Sequence, residues 1–285
     1  MAMHAEITIR RAETTADYRA LQAAQRRAWG IVEEGYVVPI ATMVGAQHHG
    51  GLVLGAFLPD GEAVGISFAF LGRAEGRLCL YSQLTGVVPG YQDRGIGFRL
   101  KATQREVARA EGVPLLCWAF DPLQAGNARF NLEKLGATCG RYVENMYGMR
   151  SDALNRDATT DRLIAVWKTE PPGTRDRLTT TGRDLPRLIG VTTPDLIPVP
   201  PGDTRLLEEE PELLLEIPAE INRLRAEHPD RAGRWSSVVR RTFLDAFAAG
   251  YRAVGFLRED PPEGRRCFYL LARSESRRDG IGPMG

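Results

Sequence analysis

Apolar and polar positions change period repeatedly along this chain, and each change marks an element. Ile7-Thr8-Ile9-Arg10 alternates at period two, as a half-buried strand does. From 14 to 29 the period becomes helical, with Tyr18, Leu21, Ala24 and Ala28 on one face and arginines elsewhere. A shorter helix is predicted over 40–47. Apolar runs at 52–58 and 63–71 flank Pro59-Asp60-Gly61, a tight-turn triplet, and so read as a hairpin. A further strand spans 78–88. A helix follows from 95 to 111, with Ile96, Leu100, Thr103, Val107 and Ala110 expected inward. Gly112 ends it, and Val113-Pro114 leads into the buried run 115–120. A short helix at 127–135, closed by Gly136, precedes strands near 141–147 and 162–168. The order over residues 5–170 is β-α-α-β-β-β-α-β-α-β-β, an α/β (α+β) pattern.

Beyond 170 the chain changes character. Seven prolines and four glycines within 171–204 predict a linker, in which 187–191 can pair as a short strand. The run 212–217 reads as a buried strand, and Pro218 suits the first turn of a helix over 219–227. A longer helix spans 235–249, with Trp235, Val239, Thr242, Phe243, Ala246 and Phe247 inward, and strands at 253–257 and 267–272 follow. The expected organisation is a first domain over 1–170, a linker over 171–204, a β-α-α-β-β module over 205–273 and a flexible tail over 274–285. The module reads either as a partial repeat of the back half of the first domain or as an appendage that covers a sheet edge or builds a homodimer contact.

Composition narrows the function classes. The 285 residues suffice for two cores, and 43% hydrophobic with 26% charged residues is ordinary for a globular chain. A net charge of +1 supplies no global field for nucleic acid or an anionic membrane. Its basic residues are nearly all arginine; Lys101, Lys134 and Lys168 are the lysines. Cys79, Cys117, Cys139 and Cys267 lack C-x-x-C spacing, so they suggest neither zinc nor a redox pair, and reduced thiols of a cytoplasmic protein are expected. His48-His49-Gly50-Gly51 has no third ligand in view and reads as a helix-ending turn, so no metal is expected. No stretch approaches the ~20 apolar residues of a membrane span, and the first residues show no apolar signal region.

The chemistry concentrates at 87–100. There an apolar strand gives way to a glycine-bearing loop and then to an amphipathic helix. Gln92-Asp93-Arg94-Gly95-Ile96-Gly97 forms a Q-x-x-G-x-G arrangement. Such a turn aims backbone N–H groups into one concavity at the positive end of a helix, where a pyrophosphate can sit. It is not a Rossmann fingerprint, because Gln92 stands in place of the first glycine, and it lacks the Gly-Lys-Ser/Thr of a P-loop.

On these residues, and on the element order around them, the chain resembles the GNAT (GCN5-related N-acetyltransferase) superfamily. The segments Trp118-Ala-Phe-Asp-Pro-Leu, Asn127-Ala-Arg-Phe-Asn131 and Glu216-Ile-Pro look like those of a bacterial subgroup of similar length. Some members of that subgroup are linked to N-acylamino acid racemase pathways. The resemblance implies a mixed, mostly antiparallel sheet flanked by helices, with a C-terminal α/β extension. It also implies acetyl-CoA or another acyl-CoA as co-substrate. Val87 and Val88 would pair their backbones with the pantetheine arm. Gln92, Asp93, Arg94, Gly95, Ile96, Gly97 and Phe98 would cradle the pyrophosphate, with Arg94 or Arg99 adding charge. Asn127 would meet the cofactor, cap its helix, or both.

The family's usual base and acid are not matched. Gln83 and Thr85 stand where a glutamate is common on the strand before the turn, and Leu132 stands where a tyrosine is common. Replacements would come from Tyr81, Asp121, Asn131, Tyr142 or Tyr147, with Asp121 and Tyr142 foremost and Gln83 orienting a water. Glu33 and Glu34 are candidates for binding the acceptor. The implied activity is acetyl or succinyl transfer from the CoA thioester to the amine of a small molecule such as an amino acid, without a covalent enzyme intermediate. The alternatives are a non-catalytic acyl-CoA-binding regulator and a protein-lysine acetyltransferase.

Overall fold

A computed structural model describes residues 6–148, 159–170, 187–189, 206–262 and 264–273. The expected linker, apart from 187–189, and the expected tail lie outside these residues. Two compact units are formed, one from Met1–Ala119 with Val166–Asp176, the other from Phe120–Ala165 with Arg177–Gly285. The stretch 1–170 is thus distributed over both.

The first unit begins with β1 (Thr8–Arg11) and α1 (Thr15–Trp29). Thr14 starts α1 through a capping box: its hydroxyl accepts from the Asp17 N–H, and the Asp17 carboxylate accepts from the Thr14 N–H. Gly30, in the left-handed region at φ 60°, ends the helix. After a short 3-10 turn come α2 (Ile40–His48) and the antiparallel strands β2 (Leu52–Phe57), β3 (Ala63–Ala74) and β4 (Arg77–Val87). The order β1-β2-β3-β4-β5 places β5 (Leu115–Phe120) parallel to β4. One face of β2 and β3 packs Val53, Phe57, Ile66 and Phe68 against Tyr18, Leu21 and Ala24 of α1 and Met43 of α2.

The opposite face receives α3 (Ile96–Ala110). Ile96 and Leu100 pack against Gly65 of β3, where an added Cβ would lie 3.2 Å and 3.3 Å from them. Those two side chains set the phase of the helix, and the same stripe continues four residues on at a time. The buried residues are therefore Ile96, Leu100, Lys101, Gln104 and Ala108. Of the others expected inward, Thr103 and Val107 are half-buried at the edge of this stripe and Ala110 is exposed. The inner face of α3 is half polar, which an apolar-periodicity reading passes over.

In the second unit, α4 (Ala125–Ala128) continues as a π-helical turn over Arg129–Lys134 in place of the uniform helix expected at 127–135. Around β6 (Thr138–Val143), the start of β7 (Arg162–Lys168) and β8 (Arg187–Ile189) come the C-terminal elements. These are α5 (Leu206–Glu209), β9 (Glu212–Ile217), α6 (Ile221–Glu227), α7 (Pro229–Ala248), β10 (Tyr251–Glu259) and β11 (Arg266–Arg273). The helix expected to start near Trp235 begins at Pro229 instead, whose fixed φ suits a first turn. Strands β6, β10, β11 and β9 pair antiparallel, and β8 joins β9 in parallel. Trp235, Val239, Phe243 and Ala246 of α7 are buried, and Phe243 meets Tyr269 edge-on at 5.0 Å. Across both units the sheets are mostly antiparallel and flanked by helices.

Candidate functional site

The site grows from the way β4 leaves β5. The two strands pair only where Cys79, Leu80 and Tyr81 face Leu115, Leu116 and Cys117. Past Tyr81, β4 keeps β3 as its ladder partner as far as Val87, and no partner is present on its other side among the described residues. The register against β3 slips between Phe68 and Ala69, so Gln83 is an extra residue, bulged and exposed at the point of divergence.

That bulge fixes what β4 offers downstream. The Val88 N–H donates to the Val64 carbonyl at 3.0 Å, on the β3 side. Neighbouring residues in an antiparallel ladder alternate in direction. Val87 and Thr85 therefore turn their backbone groups to the unpartnered side, and Val88 does not. Of the expected Val87–Val88 pair, the backbone of Val87 is thus on the open side and that of Val88 is engaged with β3. The Val87 carbonyl takes a bond from Gln92 Nε2 at 3.1 Å.

Beyond Val88 the turn carries Gly90 at φ 87°, Asp93 at φ 60° and Gly95 at φ 72°. Gly95 is the cap residue of α3, and its carbonyl accepts the first helical bond, from the Arg99 N–H at 3.0 Å. No side chain caps this end, and no acidic residue lies in the first turn. The N–H groups of Ile96, Gly97 and Phe98 therefore lack helical partners. A Cβ at Gly97 would meet only Val87 Cγ2, at 3.9 Å. The protein does not require glycine there for its own packing. The space is left for something that approaches the backbone.

Arg94 lies over the Tyr91 ring at 5.1 Å, while Arg99 Nη2 is engaged with the Ile7 carbonyl at 2.8 Å. Arg94 is thus the nearer source of charge for the turn. Phe98, 45% exposed, flanks it.

Behind the divergence, between the sheet and α3, runs a buried polar string. Ser67 Oγ and Thr85 Oγ1 are 2.8 Å apart, Ser82 Oγ and Thr85 Oγ1 3.4 Å, and Ser82 Oγ donates to Gln104 Oε1 at 3.1 Å. Gln104 Nε2 is buried without a hydrogen-bond partner. One step along the helix, Lys101 is 4% exposed, its Nζ 3.8 Å from the Trp118 ring centroid. Burial pushes this amine down to about 7, with the Cys117 thiol acting weakly in the other direction. Thr85 apart, none of these positions stood out in the sequence, because each is a polar residue inside an apolar period.

The remaining candidates belong to the second unit and are engaged there. Asp121 Oδ2 pairs with Arg225 Nη1 at 3.0 Å, and its Oδ1 accepts from the Leu123 N–H at 2.9 Å. The Tyr142 hydroxyl donates to Asp161 Oδ2 at 2.7 Å, and the same carboxylate accepts from the Asn145 N–H and from Arg240. Burial, then the bond to Asp161, push the Tyr142 phenol well above its ordinary value. Both expected residues are thus engaged with partners within the second unit. Asn127 is exposed at the third position of α4, and Gln124 occupies the cap, so it does not start the helix. Glu34 is held by Arg26 at 2.7 Å on the surface of the first unit.

No protein-family model matches the chain, and no curated protein is significantly similar to it. Solved structures do resemble it. The ribosomal-protein-S18-alanine N-acetyltransferase from Escherichia coli is 20% identical, covering 60% of this chain and 98% of its own, with a TM-score of 0.45. An N-acetyltransferase from Staphylococcus aureus is 15% identical, over 58% of this chain and 99% of its own, at a TM-score of 0.46. A GNAT family acetyltransferase from Elizabethkingia anophelis with acetyl-CoA bound is 17% identical, over 57% and 97%, at 0.43.

Proposed function

We propose that this chain is an acyl-CoA-dependent N-acyltransferase of the GNAT type. On this reading it moves an acetyl or succinyl group from the CoA thioester to the amine of a small molecule, with amino acids the first class to test. One observation carries the reading: an open β4 edge at Thr85 and Val87 leads directly into an uncapped, glycine-lined helix start. An extended amide-bearing arm fits the first and a diphosphate fits the second.

In this reading the arm pairs with the backbones of Thr85 and Val87 and displaces Gln92 Nε2 from the Val87 carbonyl. The N–H groups of Ile96, Gly97 and Phe98 take the diphosphate oxygens, and Arg94 adds charge. The thioester then lies where β4 and β5 diverge, beside Gln83. The acceptor amine attacks the carbonyl carbon, the C–S bond breaks, and the thiolate leaves with the proton that the amine gives up. Gln83 cannot take that proton, but it can hold a water that does.

A second reading, a non-catalytic acyl-CoA-binding module, is favoured by one observation: β4 carries no carboxylate, and Asp121 and Tyr142 are occupied elsewhere. Titration calorimetry with CoA and acetyl-CoA, followed by thiol-release assays with acetyl-CoA and succinyl-CoA over D- and L-amino acids, decides between the two. Binding with turnover supports the transferase; binding without turnover on any amine supports the module. No binding of CoA overturns both.

A further inference from the structure

Lys101 pairs with no carboxylate among the described residues. It is 4% exposed on the inner face of α3, and the contact its amine makes is with the face of Trp118. Strands β1 to β5 contain no Asp or Glu, and the charged side chains on them are Arg10, Arg11, Arg73 and Arg77. The titratable groups on the strands around it are Cys79 and Tyr81 of β4 and Cys117 of β5. Cys117 is held protonated by its hydrogen bond with Cys79 and by burial. On α3 itself, Arg105 points away, to the Trp167 ring and the carbonyls of Lys168 and Glu170, and Glu106 is exposed. The neighbouring Gln104 Nε2 is buried without an acceptor. These strands carry no carboxylate, and the one thiol pulled below its ordinary value is Cys79, by its bond with Cys117.

A desolvated amine in such a place sheds its proton near neutrality unless a counter-charge arrives. One place for that charge lies nearby. Lys101 is five residues past Ile96, ~7.5 Å along the helix axis. Helical side chains lean back toward the N-terminus, which carries the amine toward the uncapped turn. The face of Trp118 tolerates the charged form once it exists.

We infer that Lys101 is the buried counter-charge of the diphosphate received by the Gly95–Gly97 turn, and that it takes up a proton when the diphosphate binds. This rests on the CoA-binding reading above. It makes Lys101 a positioning residue for the ligand, acting from behind the helix rather than by contact. The linkage has a definite sign. Below pH 7 the amine is charged in both states and affinity is highest. Above pH 7 the bound form must acquire a proton that the free form lacks, so affinity falls as pH rises, by about tenfold for each unit until the bound-state value is passed.

Titration calorimetry of the full chain with CoA, in two buffers of different ionisation enthalpy at pH 7.5–8, reads the proton count directly. The wild type takes up a substantial fraction of one proton on binding CoA. Pantetheine, which lacks the diphosphate, produces no uptake. K101M and K101Q remove the titrating amine while keeping a similar side-chain length, so the result does not hang on one variant folding. Both bind CoA with the uptake lost and with affinity that changes less between pH 7 and 8.5. CoA binding with the same proton count in both variants overturns the role of Lys101 and leaves the CoA site standing. No CoA binding by the wild type overturns the two together.

Discussion

The indole of Trp29 lies flat against the backbone of Gly86: a Cβ at 86 would sit 2.3 Å from the ring's Cη2. The end of α1 and the open half of β4 are thus held together by a contact that excludes every side chain at 86. G86A should cost about 1–3 kcal/mol, the ordinary penalty of overpacking. Trimming the ring in that background, as G86A/W29L, should return part of the loss. Denaturant unfolding of the two singles and the double reads this directly, and strict additivity would show that the two residues do not meet.

Gly95 and Gly97 are expected to respond differently to substitution. At φ 72°, Gly95 is conformationally required, so G95A should lower stability by about 1 kcal/mol. Gly97 lies in helical backbone with open space beside it, so G97V should leave the melting temperature nearly unchanged or slightly raised. Its CoA affinity should nonetheless fall tenfold or more. A G97V protein that binds CoA like the wild type would remove the turn from the site.

Lys101 also leaves a mark on stability. Its amine is near 7 in the folded chain, against an ordinary lysine value of 10.5. Between those two values the unfolded chain holds a proton that the native chain lacks, so native stability rises with pH across that window. Below pH 7 the penalty of the buried charge is fully present. K101M should therefore be more stable than the wild type at pH 7, by a few kcal/mol, and the difference should shrink toward pH 10. Melting curves of both proteins from pH 6 to 10 test this; a constant offset would refute it.

In the second unit, Asp161 gathers Tyr142, Arg240 and the Asn145 N–H about one carboxylate whose side chain is 6% exposed. D161N should cost roughly 2 kcal/mol because Arg240 loses its closest carboxylate and keeps Glu144 at 3.3 Å, while Y142F should cost about 1 kcal/mol. The Asp161 carboxyl is held below its ordinary value in spite of its burial, by bonds from Asn145, Tyr142 and Arg240. Its contribution is thus present above the unfolded-state value and is lost as pH falls toward the folded one. The gap between wild type and D161N should close in acid.

Much of this was legible in the sequence, because the signals were local. The alternation at 7–10, the Pro59-Asp60-Gly61 turn and the glycines at 95 and 97 each determine their element from a few neighbouring residues. What was not legible needed partners or registers. Asp121 reads as a loop acid until Arg225, 104 positions away, is seen on it. Tyr142 reads as a free phenol until Asp161 is seen. The inward turn of Lys101 and Gln104 follows from where Ile96 and Leu100 lock onto Gly65, and apolar periodicity assigns polar residues to the solvent. The choice of Thr85 over Val88 as a backbone partner depends on a ladder direction that no single strand reveals.

The bulge at Gln83 has a consequence for how this strand tolerates change. Ser82 and Thr85 are three apart, an odd spacing, yet their hydroxyls meet on the same side of the sheet. Regular pleating would have put them back to back. Deleting one residue at 83 would therefore do less to shorten β4 than to invert its last stretch: Thr85 would leave its hydroxyl neighbours, and Val88 would exchange duties with Val87. A lineage that lost that residue would keep the fold's outline while turning the other half of the main chain to the open edge.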